Sequence, residues 1–209
     1  MADLRAELIA TARAMQPAGL NRSTAGNVSV RSGDGFYITP TGMAYANLIE
    51  DDIPLMALDG SHVGPRKPSS EWRFHRDLYA SRPEVGAVLH AHSPFAVSLA
   101  CLRLDIPPFH YMIARFGGDT IRCADYSIFG SESLSTVAMA AMAGRQACLL
   151  ANHGMLVAGR DLSEALALAI ELEELCEQYW RACQLGQPVL LSAKEMAAVL
   201  EKFAGYGQQ

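Results

Sequence analysis

His90-Ala91-His92 and the distant His153 are the residues of this chain best suited to chemistry. The run Ala87-Val88-Leu89-His90-Ala91-His92 reads as a β-strand, where successive side chains alternate between faces. Both imidazoles therefore project to one face and Ala91 to the other. Two nitrogen donors at i and i+2, joined by a third from elsewhere, form the three-ligand set of a catalytic zinc site with a position left for substrate. The pair alone also fits two packed or surface histidines.

Asn152-His153-Gly154 sits at the end of an apolar run, where layered α/β proteins collect functional polar residues. Glu71 follows two serines at a helix start. It reads either as a surface carboxylate compensating the helix dipole or as a general base beside a metal. Three segments have the character of phosphate cradles: Gly26-Asn27-Val28-Ser29, Thr39-Pro40-Thr41-Gly42 and Ser69-Ser70. The last offers hydroxyls and free N–H groups at a helix N-terminus. Each by itself is ordinary turn chemistry. Neither a Walker motif nor G-x-G-x-x-G is present, so a nucleotide is not indicated.

The elements that must position these residues are legible in outline. Leu4, Leu8, Ile9, Ala12 and Met15 recur at helical spacing, predicting a first helix over 3–18 that Pro17-Ala18-Gly19 ends. Strands are expected at 28–31, 36–39 and 53–58, with turns at 33–35 and at Asp59-Gly60. A helix follows from Ser69 to about Ala80, then the strand 87–92, then Ser93 as N-cap with Pro94 at the first helical position. A helix near 133–143 leads to a strand at 147–151. Asp161 with Glu164 resembles a capping box opening a helix to about Leu185, and Ser192 with Glu195 a second one opening a helix to about Phe203. Short strands and hairpin turns predict one α/β domain, 1–209, with a largely antiparallel sheet.

The 209 residues suit one sizeable core. Seventeen basic against 22 acidic residues give a net charge of −5, with no attraction for nucleic acid or an anionic membrane. An anionic substrate must be held by local groups. Cys101, Cys123, Cys148, Cys176 and Cys183 are scattered without a C-x-x-C, and no signal peptide is apparent, so reduced thiols and a cytoplasmic setting are expected. No stretch approaches the apolar length of a membrane span.

The cradle segments, Pro68-Ser69-Ser70-Glu71, His90-Ala91-His92 and Asn152-His153-Gly154 occur in an order and spacing that resembles the class II sugar-phosphate aldolase/adducin family. The resemblance runs over nearly the whole chain and is nearest to the L-fuculose-1-phosphate aldolase branch. It is reinforced by Glu71-Trp72-Arg73-Phe74-His75, His110-Tyr111-Met112-Ile113-Ala114, Gly117-Gly118, Phe129-Gly130, Leu200-Glu201-Lys202-Phe203 and Tyr206-Gly207. It implies a three-layer fold, a mainly antiparallel central sheet flanked by helices, assembled as a homotetramer with active sites between subunits. His90, His92 and His153 would hold Zn2+, although imidazole donors also suit other divalent metals. Glu71 would ligate the metal at rest, then swing away to act as acid/base. Asn27, Thr41, Gly42, Ser69 and Ser70 would hold the phosphate. Tyr111, from a neighbouring subunit, would serve the aldehyde oxygen, and Phe129, Phe203 and Tyr206 would wall the aldehyde side.

The implied reaction is reversible cleavage of a small phosphorylated sugar, a ketose 1-phosphate, to dihydroxyacetone phosphate and an aldehyde. The substrate would be L-fuculose 1-phosphate or a 5-deoxy- or 5-methylthio-ribulose 1-phosphate, cleaved through a metal-stabilised enediolate. Related scaffolds carry ribulose-5-phosphate 4-epimerase and methylthioribulose-1-phosphate dehydratase activities. The Phe203/Tyr206 tail and the His110-Tyr111 segment favour the aldolase. A noncatalytic adducin-like module would have lost the metal residues. His62, His75 and His110 read as packing, supporting or solvent-exposed residues.

Overall fold

In the computed structural model, which describes residues 3–22 and 24–204, the periodic apolar residues of the first segment become one buried stripe. Leu8, Ile9, Ala12 and Met15 line the inner face of α1 (Leu4–Met15), and the Asp3 side chain caps it by accepting from the Arg5 N–H. The chain then forms the hairpin β1 (Asn27–Ser32) and β2 (Gly35–Ile38), followed by β3 (Leu55–Ala57) and β4 (His62–Val63). Next come α2 (Trp72–Ser81), β5 (Ala87–Ala91), α3 (Pro94–Ala100), a 3-10 segment (Tyr111–Phe116) and β6 (Cys123–Ala124). The last third holds α4 (Glu132–Ala141), β7 (Ala147–Leu150), β8 (Gly154–Gly159), α5 (Leu162–Leu185) and α6 (Ala193–Ala204).

The eight strands make one sheet in the order β4-β3-β2-β1-β5-β8-β7-β6. Every pairing is antiparallel except β6 with β7, as the turn-rich sequence predicts. The alternation of β5 distributes its side chains between two cores. Ala87, Leu89 and Ala91 join the core under α1, α3 and α5, whereas Val88 joins the second core with Phe74, Leu78 and Tyr79 of α2 and Leu134 of α4. The sheet is thus covered on both faces, which gives three layers and removes the polar alternation of a half-exposed strand. His90 shares the α2 face, its ring centroid 5.5 Å from that of Phe74.

Local chemistry departs from expectation in four places. The helix expected from Ser69 begins at Trp72, and Ser69–Glu71 form the turn before it. The strand expected over 53–58 covers only Leu55–Ala57, because Glu50–Asp52 coil into a 3-10 turn just before it. Ser93 stands at the N-cap of α3, with Pro94 at the first helical position, but its side chain does not cap. Its hydroxyl donates instead to Glu173 of α5 at 2.6 Å, while Glu173 also accepts the N–H groups of Phe95 and Ala96. One carboxylate from a neighbouring helix therefore serves the positive end of α3. Finally, β8 is a strand that no local pattern announces: six buried residues that begin and end on glycine.

The capping box at Ser192 and Glu195 is reciprocal. At α5, Asp161 accepts from the Glu164 N–H, but Glu164 reaches back one residue further, to the Arg160 N–H. All five cysteines are unpaired, and among the described residues no helix is long and apolar enough to cross a membrane.

Candidate metal centre and active site

The three histidines converge because β8 is inserted between β5 and β7. Strand β5 delivers His90 and, one residue past its end, His92. The tight β7–β8 hairpin carries His153 in its turn, with Leu150 opposite Gly154. Asn152 takes a left-handed φ of 54° there, and the His153 N–H donates to the Leu150 carbonyl. Gly154 permits the approach: a Cβ there would lie 2.3 Å from the Ala91 carbonyl oxygen and 3.0 Å from the His92 ring. The three imidazoles end with every pair of ring centroids 4.8 Å apart.

Glu71 completes the cluster from the turn before α2. Its Oε2 lies 3.2 Å from His90 Nε2 and its Oε1 3.2 Å from His153 Nε2. His90 Nε2 and His92 Nε2 face each other at 2.9 Å. The ligand atoms of these four residues all lie within 4.8 Å of one another.

The donor set fits a divalent cation. His90 turns Nδ1 to the Met155 carbonyl at 2.8 Å, which leaves Nε2 as a lone pair aimed into the cluster. Burial pushes His92 and His153 down to about 4, helped by the neighbouring His90, so both rings are neutral near pH 7, the form a metal requires. For Glu71 burial opposes ionisation, but the facing His90, His153 and His92 outweigh it and hold the carboxyl at about 2. Glu71 Oε1 is buried without a hydrogen-bond partner among the described residues. Such an acceptor costs about 1–3 kcal/mol, a cost that a cation between the imidazoles and the carboxylate removes.

Asn27, the first residue of β1, lies opposite His90 in the β1–β5 ladder. Its Nδ2 donates to Glu71 Oε2 at 3.1 Å, and its Oδ1 meets His75 Nε2 at 2.5 Å. Gly26 makes room for this: it has φ +83°, and a Cβ would lie 2.6 Å from the His90 carbonyl oxygen. The segment carrying Thr41 and Gly42 runs beside Ser69 and Ser70. The Thr41 N–H donates to the Lys67 carbonyl and the Ser69 N–H to the Thr39 carbonyl. Thr41, Gly42 and Ser70 are exposed there and Ser69 is buried.

Beside the cluster opens a cavity of about 250 Å³. Glu71, His92 and His153 line it, together with Ser70, Asn152 and the loop residues Tyr126, Ser127 and Phe129. Phe129, which the resemblance assigns to the aldehyde side, is among the residues lining this cavity. Phe203 does not line this cavity; it packs half-buried against the core on the α1/α5 side of the sheet. Tyr206 lies outside the described residues. Tyr111 is half exposed at the start of its 3-10 segment. His110 caps that segment by accepting the Met112 N–H, and His62 is exposed in β4.

Sequence reasoning passed over Tyr126 and Ser127, and left the part played by His75 open among packing, support and exposure. The first two sit on a loop with no periodic signal. His75 did carry one, since it lies one helical turn beyond Glu71. Arg103 also escaped notice: it donates to Asn152 Oδ1 at 2.7 Å and lies over the Tyr126 ring, steadying the turn before His153.

Comparison with known proteins agrees with this geometry. The profile of the Class II Aldolase and Adducin N-terminal domain matches residues 6–180. The chain is 56% identical over 204 residues to a 5-methylthioribulose-1-phosphate/5-deoxyribulose-1-phosphate aldolase of Rhodospirillum rubrum, covering 98% of this chain and 92% of that protein. It is 44% identical over 205 residues to the L-fuculose phosphate aldolase of Escherichia coli strain K12, covering 98% and 95%. A solved L-fuculose 1-phosphate aldolase superposes with a TM-score of 0.94 at 39% identity, over 98% of this chain and 97% of that one. With a family profile across most of its length and its Glu/His cluster intact, the chain belongs to the class II aldolase and adducin family, among its metal-dependent aldolases.

Proposed function

We propose that the protein is a zinc-dependent aldolase that reversibly cleaves a ketose 1-phosphate to dihydroxyacetone phosphate and an aldehyde. A 5-deoxy- or 5-methylthio-ribulose 1-phosphate is the preferred substrate and L-fuculose 1-phosphate the second. The observation that carries the reading is the Glu71-His90-His92-His153 cluster opening onto a cavity with aromatic residues on one side. The ranking of substrates rests on the 56% identity to a relative named for the two ribulose phosphates.

His90, His92 and His153 hold the cation, with Glu71 as a fourth ligand at rest. When bound, the cation supplies Lewis-acid stabilisation of the negative charge that C3–C4 cleavage leaves next to the C2 carbonyl. Thr41, Gly42, Ser69, Ser70 and Asn27 receive the phosphate through neutral donors, in keeping with a net charge of −5. As the bond breaks, the C4 hydroxyl loses its proton and becomes the aldehyde carbonyl, while C3 gains a proton. Glu71 is the acid/base at C3, released from its resting position to act there. Tyr111, half exposed, serves the aldehyde oxygen of a neighbouring subunit in a homotetramer. Phe129 walls the aldehyde side together with Tyr126, and Tyr206 of the C-terminal segment completes the wall.

A panel of ketose phosphates assayed for release of dihydroxyacetone phosphate tests the reading. Release is expected from 5-deoxy- and 5-methylthio-ribulose 1-phosphates, and to a lesser extent from L-fuculose 1-phosphate. One or two carbons against an apolar wall change binding by only about 1–3 kcal/mol. Conversion of ribulose 5-phosphate to xylulose 5-phosphate without release would replace the aldolase by an epimerase.

A further inference from the structure

A file of buried polar groups runs from the metal cluster into the protein between β1 and α2. Tyr79 Oη lies 2.7 Å from Ser29 Oγ, and Ser29 Oγ 2.7 Å from His75 Nδ1. His75 Nε2 lies 2.5 Å from Asn27 Oδ1, and Asn27 Nδ2 lies 3.1 Å from Glu71 Oε2. All five side chains are at least nine-tenths buried. Among them only Glu71 touches the metal cluster.

The accept-only carboxylate at the Glu71 end gives the file its direction. The ionised Glu71 carboxylate only accepts, so Asn27 must present its NH2 group to it. Asn27 Oδ1 then faces His75 Nε2 and must accept, so His75 carries its proton on Nε2. His75 Nδ1 is left as an acceptor and takes the Ser29 hydroxyl proton, and Ser29 Oγ in turn accepts from Tyr79. Reversing the Asn27 amide would set its oxygen against the Glu71 carboxylate, a repulsive contact, and would force the His75 proton from Nε2 to Nδ1.

We propose that His75 is a positioning residue that locks the Asn27 amide with its NH2 group facing the active site. The same NH2 serves two acceptors in turn: Glu71 while that carboxylate sits in the cluster, and the substrate phosphate once Glu71 has moved. This rests on the phosphate and Glu71 assignments proposed above. Without the His75 N–H, nothing holds the amide against rotation when Glu71 leaves, and the phosphate meets an oxygen as readily as a donor. The Glu71 end sets the His75 tautomer, and the Ser29 and Tyr79 hydroxyls, each able to donate or accept, accommodate it. The buried position explains why a histidine stands there instead of an aliphatic residue: it must donate on one edge and accept on the other.

The test is a double-mutant cycle read as KM and kcat for the ketose 1-phosphate, with a spectroscopic check on the metal-free wild type. His75→Leu is expected to raise KM about tenfold, the scale of one lost hydrogen bond to a charged group, with a smaller change in kcat. In an Asn27→Ala background the same substitution is expected to add almost nothing, because His75 acts through Asn27. His75→Gln, which retains an N–H donor, restores most of the lost affinity. In 15N-histidine spectra of the metal-free protein, His75 is expected as the Nε2–H tautomer, with Nδ1 unprotonated. A KM effect of equal size in both backgrounds, an unchanged KM in His75→Leu, or a protonated Nδ1 overturns the proposal. A wild type that releases no dihydroxyacetone phosphate overturns the functional reading instead, and the tautomer measurement still stands on its own.

Discussion

His90 gives its Nδ1 proton to the main-chain carbonyl of Met155, 2.8 Å away on the neighbouring strand. The contact arises from sheet register, since Ala91 pairs with Met155 and His90 with Leu156. It sets the tautomer that leaves Nε2 free to bind a cation, and because the acceptor is backbone no substitution at Met155 removes it. The protein purified without chelators is therefore expected to carry about one divalent ion per chain. His90→Ala should weaken retention by at least about a hundredfold, since even outer partners of a metal ligand are worth 10–100-fold. Elemental analysis after dialysis against a chelator series checks both.

Glu71→Gln keeps the shape of the side chain and removes its charge and its basicity. Dihydroxyacetone phosphate release should fall by about 10²–10⁴-fold, the usual contribution of a positioned acid/base. The fold should persist, as followed by circular dichroism and a thermal melt. A fully active variant would remove Glu71 from the reaction.

Gly154→Ala would place a methyl group 2.3 Å from the Ala91 carbonyl oxygen and 3.0 Å from the His92 ring. Backbone on the paired strand cannot yield as a flexible side chain does. A loss of about 1–3 kcal/mol in stability is expected, together with reduced metal occupancy as His92 is displaced. Gly144→Ala makes the control. It strains a backbone with φ +66° but meets nothing within 4 Å, so it should cost stability without affecting the metal.

Acid should destabilise the metal-free protein earlier than carboxylate protonation alone would explain. Burial holds His75 down at about 3, and His92 and His153 at about 4, against an ordinary value of 6.5. In the unfolded chain these rings take up protons as pH drops below about 6.5. The folded state does not, so the unfolded state binds more protons and stability falls with pH. From about pH 6.5 to 5 each histidine should approach about 1.4 kcal/mol per pH unit. Glu71, held at about 2 against 4.5, adds its loss only below about pH 4.5. Urea titrations across that range should show the slope, and His75→Gln should reduce it by roughly one proton.

The sequence determined the pieces. Helical spacing of Leu8, Ala12 and Met15, the Ser192/Glu195 box and the alternation that puts His90 and His92 on one face are all effects within about four residues, and they survive into the structure. The types of the candidate ligands were equally plain, because imidazole and carboxylate chemistry does not depend on where the chain goes. Strand β8 escaped because a central strand buried on both faces has no polar alternation to show. Glu173 carries no local mark of its contact with the N-terminus of α3, which is made across 78 residues of chain.

Tertiary structure alone decided the convergence. His153 reaches His90 and His92 only because β8 separates β5 from β7 in the sheet. Asn27 meets Glu71 and His75 across 44 and 48 residues of chain. Such meetings depend on strand order, register and the turn of a buried amide, and none of these leaves a periodic trace in the sequence. Local physics could therefore name the candidate ligands, while packing had to supply the neighbours that give each one its charge, its tautomer and its direction.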